Sequence, residues 1–321
     1  MPPRAPFNHP LTFAPLLKPR IWGGTQIGSS LGRTLPPNQP HIGESWEISD
    51  RPEDQSVVNH GPHAETSLHH LWRNHRLEVF GKKNAANPSE RFPLLFKILD
   101  ATDTLSVQVH PPESLRQKLQ GESKNEAWYL LDATPNACVY AGFVQPDLSP
   151  ETFRHHLNEQ TAASLLHRIP VQRGDTLFIP SGRCHSIGAG CLIAEIQQNS
   201  DTTYRLFDWN RTDPNGRPRD LHVDQALECI DFSDVTPDLH PRGTRLSTSC
   251  FNLDSQLLQT DARWENPKDT FAILHVLTGF LTHNARTFPK GSTLLVPANL
   301  ADDLRAGESD TRALCITLPS E

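Results

Sequence analysis

The sequence predicts a mainly β protein built as two packed units. A chain of 321 residues exceeds the size at which one hydrophobic core usually stops growing, so two units are expected. Twenty-eight prolines and eighteen glycines, spread along the chain, mark many short elements joined by turns. An internal echo gives the third observation. Gly174-Asp-Thr-Leu-Phe-Ile-Pro180 recurs in form as Gly291-Ser-Thr-Leu-Leu-Val-Pro297, a turn, a strand and a proline stop at the same spacing. The first copy continues as Ser181-Gly182-Arg183-Cys184-His185, the second as Ala298-Asn299-Leu300-Ala301-Asp302 with no histidine. If both are barrels, only the first has kept chemistry.

Taken in order, the opening to Gly24 is proline-studded and the first strand signal is Glu44 to Ile48. Between Thr66 and Phe80 the apolar residues Leu68, Leu71, Trp72, Val79 and Phe80 fall partly at helical spacing behind a Thr66/Ser67 cap, predicting one or two helices. Phe92 to Leu99 reads as a buried strand. Ser149-Pro150-Glu151 starts a helix, with a capping residue before a proline at the first helical position, and a second short helix is expected over Ala162 to Leu166. Arg173 to Trp209 returns to short strands, and His222 to Ile230 reads as helical. Pro237, Pro241 and Gly243 interrupt a polar stretch before strands resume at Cys250, which places a boundary there. The expected division is 1–235, with helical insertions at about 62–92 and 149–168, and a smaller β unit at 236–321.

Charge and length exclude several classes. A net charge of -7 argues against a nucleic-acid surface, which needs concentrated Lys and Arg, so an anionic ligand would be held by a few local cations. No apolar run approaches the roughly 20 residues that cross a bilayer. The six cysteines show no Cys-x-x-Cys spacing and the opening residues lack a signal-peptide pattern, so the expected setting is reducing and cytoplasmic. Gly28-Ser29-Ser30-Leu31-Gly32 fits a nucleophile elbow, but proline-rich coil rather than a helix follows it. Asn210-Arg211-Thr212 fits a glycosylation acceptor, which means little without secretion.

The chemistry concentrates elsewhere. In Leu105-Ser106-Val107-Gln108-Val109-His110-Pro111, the polar side chains alternate with valines, so on a strand Ser106, Gln108 and His110 share one face. A solvated outer face is the alternative reading. Lys124-Asn-Glu126-Ala-Trp128-Tyr129 puts Lys124 and Glu126 on one face by the same period, and the Pro180 to Gly182 turn delivers His185. Two histidines, a carboxylate and an amide oxygen would suit zinc, which takes nitrogen and oxygen ligands. His69, His70, His155 and His156 come in adjacent pairs on expected helices, where neighbours point apart.

These residues carry a resemblance. Gly174, Pro180, Gly182 and His185 match the second motif of the cupin superfamily, with Ala189 where that motif usually ends in asparagine. Ser106-Val-Gln108-Val-His110-Pro111, Lys124-Asn-Glu126-Ala-Trp128-Tyr129, Pro180-Ser-Gly182-Arg-Cys-His185 and Glu195-Ile-Gln197-Gln198-Asn199-Ser200-Asp201-Thr-Thr-Tyr204-Arg205-Leu-Phe-Asp208-Trp209 together resemble the type I mannose-6-phosphate isomerases in their short bacterial form. The likeness fades after about Asp231.

The resemblance implies a cupin jelly-roll barrel carrying the inserted helices, followed by a degenerate second cupin without metal. It implies one zinc ion per chain, held by Gln108, His110, Glu126 and His185. Arg205 would be the catalytic arginine, Ser106 would lie toward the substrate phosphate, and Lys124 and Glu195 would be further active-site residues. Longer eukaryotic members carry a lysine shortly after the arginine, where this chain has Asp208, Trp209, Asn210 and Arg211. That departure leaves the phosphate contacts beyond Ser106 unassigned. The implied reaction interconverts mannose 6-phosphate and fructose 6-phosphate through an enediol or enediolate, with Glu195 the candidate base and metal-bound water the second choice. A sugar phosphate is the expected partner, with no nucleic acid, membrane or protein implied. The alternatives are an isomerase of another sugar, a catalytically silent sugar-phosphate-binding regulator, and an iron cupin oxygenase, the last opposed by Gln108.

Overall fold

The first half of the chain is organised by a clean inside-outside alternation along three long strands. The structure is a computed structural model that describes residues 6–39, 41–212, 216–300, 304–308 and 310–319. Its first strands are β1 (Leu16–Lys18), β2 (Glu44–Ile48), β3 (Leu94–Ala101), β4 (Val107–Val109), β5 (Glu126–Ala133), β6 (Cys138–Phe143), β7 (Leu166–Pro170), β8 (Thr176–Ile179), β9 (His185–Ile187), β10 (Cys191–Gln198) and β11 (Tyr204–Phe207). They form two antiparallel sheets, ordered β1-β2-β3-β10-β5-β8 and β11-β4-β9-β6-β7. In β3, Phe96 and Ile98 join one apolar cluster, while Leu99 and Ala101 join another on the opposite face. β10 divides in the same way between Leu192, Ala194, Ile196 and Cys191, Ile193. A strand whose two faces are both covered should be apolar throughout. The isolated charges Lys97 and Glu195 therefore stand out, and both are buried.

A second pair of sheets follows, from β12 (Leu246–Ser247), β13 (Asn252–Leu258), β14 (Ala272–Thr278), β15 (Phe280–His283), β16 (Arg286–Pro289), β17 (Thr293–Val296), β18 (Leu304–Ala306) and β19 (Thr311–Thr317), ordered β12-β13-β19-β14-β17 and β16-β15-β18. The sequence echo falls on corresponding strands. β8 and β17 each end their sheet, and Gly174 and Gly291 before them share φ values of 88° and 84°. The registers extend the match: Glu126 pairs with Ile179, the residue before one proline stop, and Ala272 pairs with Val296, the residue before the other. Ala272 thus stands in the second sheet where Glu126 stands in the first. Around it Leu274, Val276, Leu281, Phe288 and Leu294 form an apolar interior. A core of alkyl groups offers no metal ligands.

The helices sit at the periphery. Ser67 caps α2 (Leu68–Asn74), after α1 (Gln26–Ser29), by accepting from His70 N at 3.1 Å. A π-helical turn over Arg76–Phe80 follows α2. α3 spans Arg116–Leu119. Ser149 caps α4 (Pro150–Asn158) through Thr152 N, and a 3-10 turn covers Ala162–Leu165. α5 is Val223–Cys229. One apolar cluster joins both β regions, with Phe80, Phe92 and Phe96 from the first and Phe271, Leu295 and Ile316 from the second. Between α5 and β12 the chain forms no further helix or strand. No helix among the described residues is long and apolar enough to cross a membrane.

Candidate active site

Two rows of side chains face each other in the first barrel. In one sheet β4 lies between β11 and β9, and the register aligns Arg205, Gln108 and His185 across the three strands. In the other, β10 lies between β3 and β5, and Lys97, Glu195 and Trp128 align. Cross-strand alignment places side chains about 5 Å apart, so two short rows suffice to gather distant residues.

The turn that delivers His185 is locked by its glycine. Gly182 has φ 94°, in the region open to glycine at little cost; its N–H donates to His110 O at 2.9 Å and its carbonyl accepts from Asp231 N at 2.8 Å. Asn125 ties the same turn to the start of β5. Its Oδ1 accepts from Ser181 N at 2.9 Å and its amide donates to Gln198 at 2.7 Å.

His110, Glu126 and His185 are fully buried, with ligand atoms within 4.8 Å of one another. His110 Nδ1 is 2.9 Å from the carbonyl of Thr202, and His185 Nδ1 is 2.8 Å from that of Arg183. A carbonyl can only accept, so each Nδ1 carries the proton and each Nε2 presents a bare lone pair. Those atoms lie 3.4 and 3.5 Å from the two oxygens of Glu126. Neither oxygen receives a well-directed hydrogen bond, although Lys124 Nζ stands 2.6 Å away. The Gln108 amide is 3.3 Å from His185 Nε2 and offers its oxygen there after a half-turn. A buried carboxylate with neither oxygen hydrogen-bonded, between two imidazole nitrogens, suits a metal ion, and this is the one such cluster among the described residues.

Protonation agrees. Burial, helped by Lys124, lowers His110 to about 3, and burial lowers His185 too, so both imidazoles are neutral. Burial opposes ionisation of Glu126, but Lys124 beside it holds its carboxyl well below the ordinary value. Lys124 is raised, the carboxylates of Glu126 and Glu195 outweighing burial. Glu195 goes the other way: burial and the nearby Glu126 push it up, against Lys124 and Lys97. It lies 3.5 Å from Lys97 and 3.9 Å from Lys124, and accepts from Trp128 Nε1 at 3.1 Å.

At the other end of the row Arg205 Nε donates to Ser106 Oγ at 3.3 Å and Nη1 to the carbonyl of Asp220 at 2.8 Å. Arg211 and Arg219 converge on Asp208, Arg211 at 2.5 Å and Arg219 Nε at 2.7 Å. Burial and then Arg219 lower the Arg205 guanidinium, against Asp208 and Asp220.

The structure thus brings together all the residues nominated from sequence. Ser106 and His110 are buried, so the solvated-face reading of that strand fails. Lys124 is not on a strand with Glu126: β5 begins at Glu126, and the lysine reaches in from the preceding coil. An ion pair between Glu195 and Arg205 does not form, because Lys97 and Lys124 flank the carboxylate. His69 pairs with Asp50, outside the cluster. Sequence reading missed Lys97, which the lone charge within Leu94-Leu-Phe-Lys97-Ile-Leu betrays, and Arg219, whose loop carried no periodic signal.

Comparison with known proteins supports one family. The family description "Phosphomannose isomerase type I, catalytic domain" matches residues 11–136. Mannose-6-phosphate isomerase ManA of Bacillus subtilis is 35% identical over 314 residues, covering 92% of this chain and 95% of that protein. A mannose-6-phosphate isomerase of Streptococcus mutans is 40% identical over 222 residues, 69% of this chain and 67% of its own. The crystal structure of a mannose 6-phosphate isomerase from Bacillus subtilis superposes with a TM-score of 0.81 at 30% identity, covering 97% of this chain and 99% of that one. With the cupin-type barrels, the cluster of metal-ligating side chains and likeness along nearly the whole length, the chain belongs to the type I phosphomannose isomerases.

Proposed function

We propose that this chain interconverts mannose 6-phosphate and fructose 6-phosphate with one zinc ion, held by Gln108, His110, Glu126 and His185. The observation that carries the reading is geometric: the buried cluster of His110, Glu126 and His185 shares one barrel with Glu195, which sits between Lys97 and Lys124, and the surroundings drive Glu126 toward the ionised form and Glu195 toward the protonated one. Two carboxyls pushed apart by their surroundings divide labour, one as ligand and one as proton carrier. The donor set of imidazole nitrogens and oxygens suits zinc, which when bound supplies positive charge beside the substrate oxygens.

Glu195 takes the proton from C2 of the aldose, and the released electron pair forms the C1–C2 double bond. The C1 oxygen gains a proton as the C2 hydroxyl loses one. The same carboxyl returns its proton to C1, leaving the carbonyl at C2, so no atom or electron is left over. Lys97 and Lys124 keep the carboxylate form of Glu195 accessible in a buried setting. Arg205 faces negative charge developing on oxygen. Ser106, Arg211 and Arg219 gather the phosphate at the mouth, where Asp208 fixes both guanidinium groups. Catalysis belongs to residues 1–235, whereas 236–321, with Ala272 at the Glu126 position, carries no metal.

Comparing substrates tests this assignment. Mannose 6-phosphate should exceed free mannose in kcat/KM by about a hundredfold or more, since charge-assisted hydrogen bonds to phosphate contribute about 1.5 to 3 kcal/mol each. Equal turnover of the two sugars would reject the phosphate assignment.

A further inference from the structure

Behind the catalytic strands lies a cavity of about 510 Å³, between the sheet that carries β5 and the sheet that carries β14. β5 turns Glu126 and Trp128 toward the metal cluster and Tyr129 and Leu131 toward this cavity, as alternation along a strand requires. The cavity is therefore distinct from the acid-base site. By register, Tyr129 opposite Thr176 corresponds to His275 opposite Thr293, and both Tyr129 and His275 line it.

His275 is fully buried, and its Nε2 has no hydrogen-bond partner. Its protonation follows from a chain of contacts. Arg33 holds the Glu47 carboxyl below its ordinary value despite burial, so that carboxylate only accepts. Thr293 Oγ1 donates its single proton to Glu47 Oε2 at 2.9 Å. The same oxygen must then accept from His275 Nδ1, 2.9 Å away, which leaves Nε2 a bare acceptor. Burial lowers His275 to about 4, which keeps it neutral. Tyr129 Oη and Ser255 Oγ, 3.4 Å apart, add further polar groups.

The rim is cationic. Arg173, Lys290 and Arg312 line the cavity with no ion pair or side-chain hydrogen bond among the described residues, and Arg242 joins them bound to Asp175. Asp132 is the one carboxylate that lines it. The volume falls within the range of small-molecule sites, and leucines such as Leu192 and Leu253 cover the remaining wall.

We propose that this cavity is a second ligand site, for a phosphorylated polyol or sugar, with its phosphate held by Arg173, Lys290 and Arg312 and its hydroxyls bound by Tyr129 and Ser255. The test is calorimetric titration of the zinc-loaded full chain with sorbitol 6-phosphate, which has no carbonyl to isomerise. The Lys290→Ala/Arg312→Ala chain, altered only at exposed or half-buried positions, keeps its turnover in ligand-free buffer. It should bind one molecule of sorbitol 6-phosphate fewer than the wild type, or bind the cavity molecule at least about tenfold more weakly. Tyr129→Phe should weaken the same binding event. Identical stoichiometry and affinity in wild type and double variant would overturn the site. Free sorbitol should not bind there. Inorganic phosphate binding as tightly as sorbitol 6-phosphate would overturn the polyol assignment in favour of a bare anion.

Discussion

Glu126 and Glu195 are both buried beside Lys124, yet they differ in what else surrounds them. Glu126 faces two imidazoles and a lysine, and Glu195 faces Lys97 on the neighbouring strand and Lys124 just before β5 while feeling the charge of Glu126. Different roles make different variants fail differently. His110→Ala and His185→Ala should each lose bound metal and activity together, measured by metal analysis alongside turnover. Arg205→Ala should retain the metal and lose about 100- to 1,000-fold in kcat. Glu195→Gln should also keep the metal and lose about 100- to 10,000-fold. A base must be deprotonated, so kcat/KM should fall as pH drops through the Glu195 pKa, with a midpoint above the ordinary 4.5 because burial raises it. That acid limb should vanish from the residual activity of Glu195→Gln. Arg219→Ala should raise KM for the phosphorylated substrate about tenfold without changing metal content.

At the scale of elements, the site is held by a strand register and one turn. Short polar-apolar alternation made the Ser106 to His110 face legible in the sequence, and the Pro180 to Gly182 turn announced His185. What sequence could not yield was that the two sheets place these residues together, since register and barrel closure join positions as distant as Gln108 and Arg205. Lys124 shows the limit of periodicity: the strand period assigned it the correct neighbour for the wrong reason, because coil geometry brings it to Glu126. Arg219 was illegible because a proline-rich loop obeys no period. The helix caps at Ser67 and Ser149, by contrast, are local chemistry and were readable. Gly182→Ala should destabilise the chain by about 1 to 2 kcal/mol and weaken metal binding, since the added Cβ would meet positive φ and stand 3.2 Å from the Cys229 carbonyl. Denaturant melts and a metal competition assay read both effects.

Across the whole molecule, an aromatic cluster and a polar chain are among the contacts that join the two β regions. Phe271 packs 5.3 Å from both Phe80 and Phe92, so Phe271→Ala should cost about 3 to 5 kcal/mol in a chemical melt of the full chain. The polar chain runs from Arg33 through Glu47 and Thr293 to His275. His275 in the fold titrates at about 4 against 6.5 unfolded, so the unfolded chain takes the proton first. Its contribution is complete above pH 6.5 and is lost as pH falls toward 4, a total of about 3 kcal/mol. The stability difference between wild type and His275→Gln should shrink by that amount over this window. With Ala272 in the position that corresponds to Glu126, the second barrel lacks that carboxylate. The most direct measurement of the central claim is conversion of mannose 6-phosphate to fructose 6-phosphate by purified protein before chelation, after it, and after zinc is returned. Activity that disappears on chelation and returns with zinc, at one ion per chain, is the predicted result. Folded, zinc-loaded protein that produces no fructose 6-phosphate would contradict it.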